Sequence, residues 1–103
     1  MSCKRKISTL LEAIRDCIQL GKYRDTAHAH YRRNERQIPL TDVLYVLNHG
    51  YHEKSKDKFD ENFSAWNYSI RGITINGDHL RVIISFDEER DLLIITAFYL
   101  ELG

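Results

Sequence analysis

The sequence predicts an α+β domain in which N-terminal helices pack on one face of a mostly antiparallel sheet. Three observations predict it. Apolar residues recur with helical spacing as far as about residue 50, and from there on they alternate. Asn76-Gly77-Asp78 is a strong hairpin signal between two alternating runs. The order, helices first and an antiparallel meander after, suits two layers of segregated elements.

Residues 8–20 read as the first helix. Leu10, Leu11, Ile14, Cys17 and Ile18 make its apolar stripe; Ser8 or Thr9 caps its start, Glu12 stands in capping-box position, and Gly21 ends it. A second helix over about residues 24–36 has a thin apolar face of Ala27, Ala29 and Tyr31. Ile38-Pro39 ends it, because a residue before proline avoids the helical region. Thr41 caps a third helix over 42–48, with Val43, Leu44, Val46 and Leu47 apolar and Gly50 as a stop. Residues 51–56 open the sheet as a polar edge strand, and the charged stretch 54–62 reads as a loop. Residues 66–75 form a strand with Tyr68, Ile70, Ile73 and Ile75 as its apolar members. Residues 80–86 return, with Leu80, Val82, Ile84 and Phe86 on one face. After an acidic turn at 87–91, residues 92–99 are apolar on both faces, which predicts a central or well-covered strand.

A length of 103 residues predicts a single domain over 1–103: a flexible N-terminus at 1–7, a helical part at 8–50 and an antiparallel sheet at 51–101. One proline and five glycines leave little room for a disordered linker. The longest apolar runs fall far short of a membrane span, and no secretory apolar core follows the basic Lys4, Arg5 and Lys6. A cytoplasmic protein without a membrane partner is the expectation. Cys3 and Cys17 lack CxxC spacing, so Cys17 reads as a small buried hydrophobe and Cys3 as part of a loose terminus. The net charge is zero but unevenly spread. Residues 1–36 carry nine Lys/Arg against four Asp/Glu, and residues 37–103 carry six against eleven. A basic N-terminal half is thus available to an anionic partner, while the neutral total argues against a strongly salt-driven, non-specific nucleic-acid binder.

The stretch 26–38 carries the sharpest chemical signal. His28, Arg32 and Arg36 fall at i, i+4 and i+8 and share one side of a helix. Arginine offers a planar fork to phosphate oxygens, and histidine can move a proton beside it. The plain alternative is a solvated helix face with Arg36 paired to Asp42 or Glu53. His30 and Arg33 point elsewhere and read as bystanders. His28 and His30, two residues apart, face different ways and make a poor ligand pair, so no metal site is expected. The sequence contains no Gly-rich phosphate loop, serine nucleophile elbow or dinucleotide fingerprint. The last strand offers the hydroxyls of Thr96 and Tyr99, and the hairpin offers Arg71 and Arg81. Set opposite the helical stripe, these would complete a cleft. Read structurally, Tyr68 and Tyr99 are cross-strand packing and Trp66 is core or edge packing.

The pattern Thr26-x-His28-Ala29-x-x-Arg32-x-x-x-Arg36-x-Ile38, followed by Asp42-Val43-x-x-Val46-Leu47-x-x-Gly50, resembles a small bacterial and archaeal family, domain of unknown function 4258 (DUF4258). Tyr68-Ser69-Ile70-x-Gly72 and Ile94-Ile95-Thr96-Ala97-Phe98-Tyr99 resemble it too, so the likeness covers about residues 23–99. The helical segment is moderately specific and the strand patterns less so. That family is similar to the RelE/MqsR/BrnT-like toxins on a barnase/RelE-type α+β scaffold. The resemblance implies a metal-independent endoribonuclease without a cofactor, acting on RNA and held in check by a cognate antitoxin. On the matching positions it implies His28 as acid or base, Arg32 and Arg36 on the phosphate, and Thr96 or Tyr99 as a supporting hydroxyl. Arg71 and Arg81 would contact RNA. Two features depart from the pattern: the chain is neutral where such toxins are basic, and Arg33 stands where the family often has an apolar residue. A reading of another class is a non-catalytic binding module or a homodimeric interaction protein on the same scaffold.

Overall fold

The computed structural model describes residues 5–101. Its elements are helices α1 (Leu10–Gln19), α2 (Ala27–Arg36) and α3 (Leu40–His49), and strands β1 (Tyr23–Asp25), β2 (Tyr51–His52), β3 (Lys58–Asp60), β4 (Ala65–Ile73), β5 (His79–Phe86) and β6 (Leu92–Tyr99). The strand order is β1-β6-β5-β4-β2, with β3 also paired to β4. All pairings are antiparallel except β1 with β6. The architecture is therefore α+β, with three helices and a mostly antiparallel sheet.

The first helix buries Leu10, Ile14 and Cys17, members of its expected stripe. The capping box does not form: Thr9 makes no side-chain cap bond, and only its carbonyl accepts from Ala13 N, at 3.0 Å. Cys17 donates its thiol to the Arg90 carbonyl at 3.4 Å, and burial pushes its pKa up, so it is a packing residue rather than a nucleophile. Cys3 lies outside the described residues.

The second helix is shorter than expected because residues 23–25 are a strand. They pair in parallel with Leu92, Leu93 and Ile94, a partner remote in sequence that local periodicity cannot reveal. Thr26 makes the change of direction. Its hydroxyl donates to Ile94 O at 2.8 Å and accepts from Ala29 N at 3.2 Å, closing the strand and capping the helix with one atom. The far end stops at Gln37, in the left-handed region at φ 55°, before proline is reached. The third helix starts at Leu40 with Pro39 at its N-cap, so Thr41 lies inside the helix rather than capping it.

The single edge strand expected over 51–56 is two strands and a turn. After β2 comes a 3-10 turn at Lys54–Lys56, and β3 then falls inside the stretch read as loop. The interruption is sealed at Ser69. Its amide donates to Asp57 Oδ1 at 2.9 Å, and its carbonyl accepts from Glu53 N at 2.8 Å, so neither backbone group is left unpaired. The β4–β5 turn closes with Thr74 N donating to Asp78 O at 2.8 Å, around Gly77 at φ 89°.

The core lies between the helices and one face of the sheet. Tyr68 and Ile70 of β4, Leu80, Val82 and Ile84 of β5, and Leu92, Ile94 and Ala97 of β6 are buried there with Ile14, Ile38, Val43 and Leu47. Each such aliphatic side chain contributes roughly 1.5–3 kcal/mol by leaving water. Gly50 lets α3 approach β4, since a Cβ there would stand 2.5 Å from Arg71 O. An irregularity in β6 sets the other face. Ile83 faces Thr96 but Ile84 faces Ile94, leaving Ile95 as an extra residue. Strict alternation would carry the inward row Leu92, Ile94 on to Thr96 and Phe98. The bulge instead sends Ala97 inward, opposite Val82, and turns Thr96 and Phe98 outward. No helix among the described residues is long and apolar enough to cross a membrane.

Candidate functional site

The outward face is built row by row from strand register. Arg71 of β4 lies opposite Arg81 of β5, which lies opposite Phe98 of β6. Ser69, Ile83 and Thr96 form the next row, and Asn67, two residues further along β4, pairs with Lys58 of β3. Arg36 reaches this face from the end of α2. It donates to Thr96 Oγ1 at 3.2 Å and to the edge carbonyl of Ala97 at 2.8 Å. The Arg36 and Arg81 guanidiniums stand 5.8 Å and 5.7 Å from the Phe98 ring centre, within cation–π range. Beside them is a depression of about 380 Å³ lined by Lys56, Lys58, Asn67, Arg81, Ile83 and Phe98.

One carboxylate organises the arginines. Glu53 accepts from Arg81 Nε at 2.7 Å and Nη2 at 3.0 Å, from Ser69 Oγ at 3.2 Å and from Arg71 Nη1 at 3.4 Å. The Arg81 fork holds its pKa below the ordinary carboxylate value, against an opposing push from burial. Glu53 is thus ionised at neutral pH and fixes two planar donors on the sheet. A second network lies behind it. Asp57, with a side chain fully out of solvent, meets Lys6 Nζ at 3.0 Å and His52 Nε2 at 2.6 Å.

The structure brings together four of the residues singled out from sequence: Arg36 with Thr96, and Arg71 with Arg81. It leaves the others apart. His28 and Arg32 lie on the exposed flank of α2, where Arg32 meets Glu35 at 3.3 Å. His28 makes no hydrogen bond or ion pair among the described residues. Eight residues at the helical rise put it roughly 12 Å from Arg36 along the axis, too far for both to grip one phosphate. Tyr99 falls on the opposite side of β6 from Thr96, because the two are three positions apart beyond the bulge, an odd offset. Burial there raises its pKa, with Asp42 and Asp78 adding to the effect.

Arg33 is no bystander. It is 6 % exposed, pairs with Asp25 Oδ2 and donates to Ile38 O at 3.0 Å, locking α2 to β1. His30 Nδ1 also lies 3.4 Å from Asp25 Oδ2. Among the described residues Arg36 has neither Asp42 nor Glu53 as an ion-pair partner; Glu53 serves Arg71 and Arg81 instead. Trp66 packs edge-on to Phe59, and Tyr68 edge-on to Phe86. The acidic turn gathers the carboxylates of Asp87, Glu89 and Asp91 within 4.8 Å, with Asp87 Oδ1 accepting from Glu89 N and Asp91 N.

Reasoning from sequence overlooked Phe98, Lys56, Lys58 and Asn67, and did not connect Glu53 with Arg71 or Arg81. The available signals were Phe98 at i+2 from Thr96 and the Lys56-x-Lys58 alternation inside the charged stretch. Together these groups can hold an anion on fixed guanidiniums, stack a flat ring, and offer one ionised carboxylate within the same cluster.

Comparison with known proteins adds a family. No curated protein and no solved structure matches the chain significantly. The family model described as domain of unknown function DUF4258 matches residues 26–99, from the Thr26 cap to the end of β6. That match spans most of the chain and every residue of the open-face cluster, and the protein therefore belongs to the DUF4258 family.

Proposed function

We propose that the chain is a toxin-like, metal-independent endoribonuclease domain that binds RNA across the open face of its sheet. The observation that carries this reading is the cluster of Arg71, Arg81, Phe98 and Arg36, with Lys56 and Lys58 beside it. Unpaired RNA is held by such surfaces, its bases on aromatic rings or guanidinium planes and its phosphates on cations.

Cleavage by a 2′-hydroxyl forms a bond from that oxygen to the adjacent phosphorus and breaks the bond to the 5′ oxygen. Arg36, Arg71 and Arg81 would carry the charge that develops on the phosphoryl oxygens, and Thr96 orients Arg36. Water would take the hydroxyl proton, with Glu53 holding the donors of Arg71 and Arg81 in place. Water would also supply the proton taken up by the departing 5′ oxygen, since His28 stands too far along α2 from Arg36 to reach it. The products are a 2′,3′-cyclic phosphate and a 5′-hydroxyl. In the cell this activity belongs in the cytoplasm under a cognate antitoxin.

The test is incubation with single-stranded RNA in the presence of a chelator, with end-group analysis. Cyclic phosphate ends are expected, together with growth arrest on overproduction. Arg81→Ala and Glu53→Gln should each slow cleavage by on the order of 100-fold. Intact RNA and unhindered growth with the wild-type protein would refute cleavage. A second reading, a non-catalytic binding module or homodimer, draws support from the Arg81 fork already being filled by Glu53. RNA that is retained but uncut would favour it.

A further inference from the structure

We infer that the depression beside Phe98 reads an unpaired adenine of bound RNA, with Asn67 as the specificity-determining residue. The inference rests on the RNA reading above and says which base that surface selects. Phe98 and the Arg81 guanidinium supply the flat surfaces against which an unpaired base stacks. Lys56 and Lys58, both exposed and without an acidic partner among the described residues, supply the charge for the flanking phosphates.

Asn67 is the one neutral polar side chain in the lining. It sits on β4 opposite Lys58, half-buried, and its amide has no hydrogen-bond partner among the described residues. The remaining polar neighbours are all cations, which donate and cannot accept. The nearby carboxylate of Glu53 is already committed to Arg81, Arg71 and Ser69. Among the side chains lining the depression, the 6-amino group of adenine therefore finds its acceptor in Asn67 Oδ1, while Asn67 Nδ2 donates to the adjacent ring nitrogen. That paired donor and acceptor is the match between asparagine and adenine. Uracil presents a carbonyl where adenine has its amino group. Guanine does so as well, and would draw the lysines instead; cytosine keeps an amino group beside a ring nitrogen but offers a single ring to stack on Phe98 and Arg81.

The experiment measures binding of fluorescent 2′-O-methyl oligouridines, which resist transesterification, each carrying one central A, G, C or U. The A-containing strand should bind tightest, by on the order of tenfold over the all-U strand. Asn67→Leu should erase that preference, bringing the A-containing strand down to the level of the all-U strand. Lys58→Ala should weaken all four strands alike. Tight binding with no preference, a preference for G or C, or an A preference that survives Asn67→Leu would each overturn the assignment while leaving the RNA reading intact. No binding to any strand would overturn both.

Discussion

On β4, β5 and β6 the covered face is almost wholly apolar, whereas the opposite face, one residue along each strand, carries Arg71, Arg81, Thr96, Phe98 and Asn67. The same strands make both. Covered residues such as Ile70, Leu80, Val82 and Ile84 are fully out of water, so their free energy is spent on holding helices to sheet. Outward residues meet one another and solvent, so they can be altered with little effect on the fold. The comparison teaches that stability and recognition are interleaved along each strand at a period of two. It also exposes two places where the division fails. Arg33 is charged yet structural, and Glu53 belongs to the open face yet is tied into the sheet through Ser69.

Substitutions can break or sharpen that division, and the largest effect is expected on the covered side. Ile84→Ala should lower unfolding stability by about 3–4 kcal/mol, read as a shifted urea midpoint at unchanged m-value. A shift no greater than that of an outward substitution would deny that the two faces differ. Next comes the charged exception. Arg33→Ala leaves the half-buried Asp25 with only His30 beside it and should remove about 2 kcal/mol, whereas Arg36→Ala, on the open face, should remove under about 1 kcal/mol. Equal losses in the two variants would refute the assignment of Arg33 to the frame and Arg36 to the surface.

The Glu53 network predicts a pH effect of definite sign. Its carboxyl is held below the ordinary value by Arg81, so the ionised form is favoured in the folded state. That contribution is complete above the ordinary carboxylate range and is lost as acidity carries the pH down through the folded value. Denaturation midpoints measured across the acidic range should therefore fall more steeply for the wild type than for Glu53→Gln. Parallel curves would mean that the Arg81 pairing adds nothing to stability. The smallest effect is at the rim. Lys58→Ala should change stability by less than about 0.5 kcal/mol, yet reduce the salt dependence of RNA binding by about one phosphate contact. A large stability loss there would show that β3 is part of the frame.

Much of the frame was legible because it rests on local rules. The stripe Leu10, Ile14, Cys17 follows helical spacing, and Leu80, Val82, Ile84 follows strand alternation; each pattern spans a few residues and needs no distant partner. The Asn76-Gly77-Asp78 turn was equally plain, because only Gly77 accepts φ 89° without strain. β1 was not legible, since three residues between two helices carry no period and its partner is at the other end of the chain. The open face was legible only in part. Arg36, Arg71, Arg81 and Thr96 stood out by residue type, but their meeting depends on register and on α2 ending beside Thr96.

What the sequence determined by itself is the set of helices and long strands, together with a stock of cations concentrated on a few elements. These follow from side-chain spacing and backbone preference, which act over one or two turns. What only the tertiary structure decided is which of those cations share a surface. The bulge at Ile95 turns Phe98 outward, the parallel β1–β6 pairing sets α2 along the strand, and Glu53 reaches Arg81 from a loop. Each is a long-range contact, fixed only when strands remote in the chain choose their register against a common core.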